Sequence, residues 1–182
     1  MKRIITIALT SLLALGACDK GSSPKGSEEK CKAARGEAAT KWEEAEAAWG
    51  RIHASWTEKE LTSKVEKALK EKIGAGEEGP AKVAKEMVTF KDYLSFKIEN
   101  SSKAKSLAKR AASALKEKPE KALKVAGRAQ RASRDKSVTQ HNQAAWFTNP
   151  AVAEIDEAQD KVVGLATEAL NLTEKAEEAC KK

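Results

Sequence analysis

Three cysteines, two histidines and one glycine triplet are the residues of this chain whose type and spacing invite a chemical reading. His53 and His141 are the histidines, and a carboxylate-bridged metal pair in a helical bundle would need a glutamate three residues before each. Gly50 and Val138 stand there instead, and no Cys-x-x-Cys-His haem attachment site occurs. A lone axial histidine could still hold haem; beside a run of tryptophans, His53 reads more simply as a packing residue with one hydrogen bond. Gly74-x-Gly76-x-x-Gly79 matches the dinucleotide fingerprint by letter, but that fingerprint sits between a strand and a helix and offers amides to a pyrophosphate. Here a lysine-rich helical pattern precedes it, and Glu77 and Glu78 would repel phosphate, so it reads as a turn. There is no Gly-x-Ser-x-Gly elbow, and the carboxylates are scattered as solvent faces of helices would scatter them. The expectation is therefore a protein that is not an enzyme and carries no cofactor.

The cysteines are more informative. Lys2 and Arg3, an apolar run from Ile4 to Leu15 and then Leu15-Gly16-Ala17-Cys18 form an export signal, too short to span a bilayer stably. LGAC ending at Cys18 resembles the lipobox of bacterial lipoproteins. The resemblance covers the first eighteen residues only. It implies removal of residues 1–17, lipid on Cys18, and an extracytoplasmic protein held to a membrane by acyl chains, each buried methylene contributing roughly 0.8 kcal/mol. Asp19 resembles the inner-membrane retention signal of enteric lipoproteins, a lean that leaves inner and outer membrane open. Residues 18–27 contain Gly, Ser and Pro and read as a lipidated flexible tether. Residues 28–182 form one domain.

With Cys18 lipidated, Cys31 and Cys180 remain, near the two ends of that domain. In an exported protein they are expected to form a disulfide, with free thiols or a bond to a second chain as the alternatives.

The elements that must bring those two ends together read as helices throughout. Aromatic residues make up 4% of the chain, the four prolines lie outside the periodic segments, and period-two alternation is nowhere sustained. Trp42, Trp49 and Trp56 recur every seven residues and, with Cys31, Ala38, Ala45 and Ile52, make one heptad seam. The apolar phase shifts at Thr57–Glu60, which predicts a bend before Leu61, Val65 and Leu69. Gly74–Pro80 is a loop. Val83, Met87, Phe90 and Leu94 resume the pattern, with a kink or break possible at Asn100-Ser101-Ser102. Pro119 and Pro150 open two further helices, the second with Ile155, Val162, Ala169 and Ala176 on one seam position and Ala158, Leu165 and Leu172 on the other. The expected fold is all-α: an up-down antiparallel bundle of about four long helices (28–73 with a bend, 80–117, 119–148, 150–180), its ends joined by the disulfide. An even helix count brings both cysteines to one end.

Charge is uneven. The chain carries +7 formally, and bases crowd residues 97–136, from Lys97 to Lys136. Lys121, Lys124, Arg128 and Arg131 fall at helical spacing as one stripe, either a solvated face paired with acidic neighbours or a docking surface for an anionic partner. No aromatic interleaves the stripe for base stacking, which argues against nucleic acid. The leading expectation is a lipid-anchored accessory protein of the cell envelope that docks to an envelope protein or anionic surface component. The alternative is a carrier of a small ligand, lipid or haem, between the Trp seam and the last helix.

Overall fold

The computed structural model describes residues 24–57, 59–73, 76–134 and 144–181. Cys18, Asp19, Lys136 and His141 lie outside them, as do the side chains of Trp56 and Thr57. Five helices make up the described fold: α1 (Pro24–Thr57), α2 (Lys59–Ile73), α3 (Gly79–Glu117), α4 (Pro119–Arg134) and α5 (Pro150–Cys180). No strand occurs among the described residues.

The punctuation follows local chemistry. Pro80 sits in the first turn of α3, where its missing N–H costs nothing. Lys118 alone separates α3 from α4, its N–H closing on Ala114 O at 2.8 Å. Asn149 caps α5 by accepting from Ala151 N–H at 2.9 Å, and Pro150 follows it.

Several boundaries differ from the sequence expectation, the first being that α1 begins at Pro24, inside the 18–27 stretch read as a flexible tether, rather than at residue 28. Among the described residues of the segment 119–148, α4 covers Pro119–Arg134 and Ala145–Thr148 is a turn closed by Phe147 N–H on Ala144 O at 3.1 Å. Trp146, assigned from sequence to a helix, therefore enters the core from a turn. Conversely, α3 runs unbroken through Asn100-Ser101-Ser102, because Ser101 returns its hydroxyl to Ile98 O at 2.8 Å and is buried. Where the sequence predicts a bend at Thr57–Glu60, α1 ends at Thr57 and α2 begins at Lys59, so the described residues form five helices.

Side-chain pairs fix the directions. Cys31 is disulfide-bonded to Cys180, and Trp42 Nε1–H donates to Thr173 Oγ1 at 3.1 Å, so α1 and α5 run antiparallel. Arg35 donates from Nε to Leu115 O at 2.7 Å and from Nη2 to Lys116 O at 3.0 Å, while His53 meets Ser101 further along, so α1 and α3 are antiparallel too. Those two Arg35 bonds satisfy carbonyls that the end of α3 leaves open. Trp49 Nε1–H donates to Ser133 Oγ at 3.1 Å, tying α1 to α4.

The core has two parts. Around Trp42, alanines from four helices (Ala38, Ala45, Ala108, Ala126, Ala166 and others) let the backbones close on the indole. Around Trp49 the filling is bulkier, with Phe90, Tyr93 and Trp146 joined by Leu61, Val65 and Leu69 of α2. Trp42 and Trp49 are 0% and 1% exposed, so both belong to the core. On α5, one seam holds Val162, Ala169 and Ala176 as the heptad reading predicts. Its companion is Val152, Gln159, Ala166 and Thr173, one residue further on than Ala158, Leu165 and Leu172. Hydrophobicity favoured the wrong row, because Gln159 and Thr173 are taken inside by the partners they bond.

Candidate functional site

α4 is a short helix with two unlike sides. Ala122, Ala126, Ala129, Gln130 and Ser133 are buried. Lys121, Lys124, Arg128 and Arg131 are all exposed and, at 3.6 residues per turn, project from the side opposite those five. They extend over eleven residues of helix, ten steps of rise or about 15 Å. Among the described residues none of the four enters an ion pair, although α1 and α5 carry many carboxylates. The stripe is therefore a free cationic ridge, not one side of a salt-bridge lattice.

Other bases grouped with that stripe in the sequence have different fates. Lys116 is paired with Glu43 across α1 and α3. Lys103, Lys105, Lys109, Arg110, Lys118 and Arg134 are exposed. Lys97 is not at the surface at all. It is 1% exposed and reaches Gln159 Oε1 at 2.6 Å and Asp156 Oδ1 at 3.1 Å. Tyr93 donates to the same Asp156 oxygen at 2.9 Å, and Lys97 Nζ lies 5.2 Å from the centre of its ring. Burial, then the Asp156 charge and the hydrogen bond to it, hold the Tyr93 phenol far above its ordinary value, so it stays a neutral donor.

This polar cluster was missed in the sequence, yet its signal is present. Val83, Phe90, Lys97, Ala104 and Ala111 are spaced by seven, all buried, and Lys97 is the one charge in that row.

The aromatic end of the core is bonded just as closely. Trp146 packs 4.8 Å from Tyr93 and 5.4 Å from Phe90 between ring centres, and its Nε1–H donates to Thr89 Oγ1 at 2.9 Å. Glu86 accepts Ala145 N–H at 2.8 Å, which pins the turn that carries Trp146. His53 Nδ1 lies 2.9 Å from Ser101 Oγ, the hydrogen-bonded packing role expected of it. Among the described residues no three His, Cys, Asp or Glu side chains gather as metal ligands, and no helix is long and apolar enough to cross a membrane.

One sizeable cleft lies away from both features. It has a volume of about 740 Å³ and opens between α2 and α3, with Val83 and Met87 on its floor and Val88, 60% exposed, at its edge. Comparison with protein-family models, characterised proteins and solved structures returns no match, so the functional reading rests on these features alone.

Proposed function

We propose that the chain is a lipid-anchored accessory module of the bacterial cell envelope, tethered through Cys18, that docks through the exposed α4 stripe to an anionic envelope protein or surface component. The observation that carries this reading is the set of four exposed cations on α4, unpaired among the described residues, on a helix whose other side is buried. In the finer description of the fold, α1 and α2 together form the bent first rung of an up-down four-helix bundle, with α3, α4 and α5 as the others. The antiparallel pairings of α1 with α3 and α5 support it. In that arrangement the disulfide, the start of α4 and the tether share one end of the bundle. Five residues lie between Cys18 and Pro24, six steps of chain that reach at most about 22 Å when extended, so the ridge stands close to the membrane that holds the lipid.

Converting Lys121, Lys124, Arg128 and Arg131 together to glutamine should abolish salt-sensitive retention on envelope membranes in a co-sedimentation assay, while leaving helicity unchanged. Retention equal to that of the parent protein would refute the docking role. A carrier site between the Trp seam and the last helix is not favoured, since Trp42 and Trp49 are buried in the core; the α2/α3 cleft is the feature that would support a carrier reading instead.

A further inference from the structure

The cleft between α2 and α3 has a composition that defines a ligand. Its lining is mostly apolar, with Pro80, Val83, Ala84, Met87 and Val88 among the residues that form it, and the Thr62 hydroxyl is the only neutral polar side-chain group among its lining residues. A molecule inserted between the apolar side chains gains burial and finds one neutral hydrogen-bonding group, Thr62, so the part that lies against them is aliphatic. A volume of about 740 Å³ falls within the range of roughly 300–1,000 Å³ typical of small-molecule sites. Met87 adds a flexible, polarisable side chain that adjusts to irregular chains.

The rim carries the charge. Lys70, Lys91 and Glu66 flank the opening. Glu66 is bonded to Lys70 at 2.7 Å, and that hydrogen bond, then the Lys70 charge, holds its carboxyl below the usual range. Lys91 forms no ion pair among the described residues and is exposed, which leaves one positive charge in excess at the mouth. Val88, the large apolar side chain most open to solvent among the described residues, stands three residues before it on α3.

We infer that this cleft is a binding site for an anionic amphiphile of the fatty-acid type, its acyl chain lying over Val83, Met87 and Val88 and its headgroup at Lys91. The site is separate from the α4 ridge, which offers charge without an apolar floor.

The test is fluorescence titration of the full chain with cis-parinaric acid and, separately, its methyl ester. One saturable site is expected, with the acid favoured over the ester about threefold, the scale of one exposed charge contact. Val88→Asp places a charge where the acyl chain would lie, and Ala84→Trp, at an exposed position, fills the cleft; each should weaken both probes by about tenfold or more with unchanged circular dichroism. Lys91→Gln should erase the preference for acid and leave ester binding intact. The fourfold glutamine variant of α4 should bind both probes normally, which separates this site from the docking surface. Absence of saturable binding, or Val88→Asp and Ala84→Trp proteins that bind like the parent, would overturn the site. Equal affinity for acid and ester in the parent chain would overturn the anionic headgroup. A parent chain that sediments as a dimer, becomes monomeric on Val88→Asp and binds neither probe would assign the cleft to a second copy instead.

Discussion

Lys97 of α3 donates to Gln159 of α5 at 2.6 Å in the interior of the bundle, a charged and a neutral side chain both almost fully buried. Asp156, about 29% exposed at its side chain, completes the neutralisation at the edge. Removing one member of a buried pair strands the other, at a cost of about 3–5 kcal/mol for a fully buried partner. Because Asp156 keeps partial contact with water, Lys97→Ala should cost less, about 2–3 kcal/mol in urea denaturation. Lys97→Met together with Asp156→Asn and Gln159→Leu should recover most of that loss, since the buried charge is then gone from both sides.

Tyr93 makes the same cluster sensitive to alkali. Its folded value is raised above the ordinary 10.0, so the denatured chain releases the phenolic proton before the native one does. The contribution is fully present below about pH 10 and is lost progressively as pH climbs beyond it. Melting temperature should fall more steeply above pH 10 in the parent protein than in Tyr93→Phe, which retains the ring against Trp146 but has no proton to lose. Identical slopes for the two proteins would show that Tyr93 titrates as freely when folded as when unfolded.

The Cys31–Cys180 bridge spans a sequence separation of 149 residues, close to the whole folded domain. On the chain-entropy account such a loop contributes about 5 kcal/mol through the denatured state. The Cys31→Ser, Cys180→Ser protein should show a lower urea midpoint and an unchanged far-ultraviolet spectrum. Equal midpoints for oxidised and reduced protein would remove the bridge as the staple of the fold.

Trp42 and Trp49 each spend the indole N–H on a hydroxyl, Thr173 and Ser133 respectively. Thr173→Val keeps the volume and removes the acceptor, leaving a buried donor that costs about 1–3 kcal/mol. Trp42→Ala removes the bulk around which the alanines close and should cost about 3–5 kcal/mol. Emission from Trp42, Trp49 and Trp146, all buried and measured together in the Trp56→Phe background, should be blue-shifted and resistant to iodide.

Much of this architecture was legible from spacing. The seven-residue recurrence of Trp42 and Trp49 marks a core seam, and Cys31 with Cys180 marks the two ends that meet. The prolines at 80, 119 and 150 lie in the first turn of helices. The illegible part has one physical cause. Lys97, Gln159, Ser101 and Thr173 occupy core positions because each finds a partner on another helix or in its own preceding turn, and polarity alone points such residues outward. Gln159 and Thr173 shifted the apparent seam of α5 by one residue, and Ser101 imitated a helix break. On α4 the stripe itself could be read from spacing, but its freedom from acidic partners depends on where α1 and α5 place their carboxylates. The α2/α3 cleft needs the relative placement of two helices that no periodicity specifies.

The disulfide also decides how the domain bears load. Cys31 lies in the second turn of α1 and Cys180 is the last residue of α5. Tension applied between the chain's two ends passes from one sulfur to the other and never reaches the helices between them. A domain wired in this way transmits a pull covalently along its edge while its packed interior stays slack, so stretching the ends leaves the α4 ridge and the α2/α3 cleft in their folded shape.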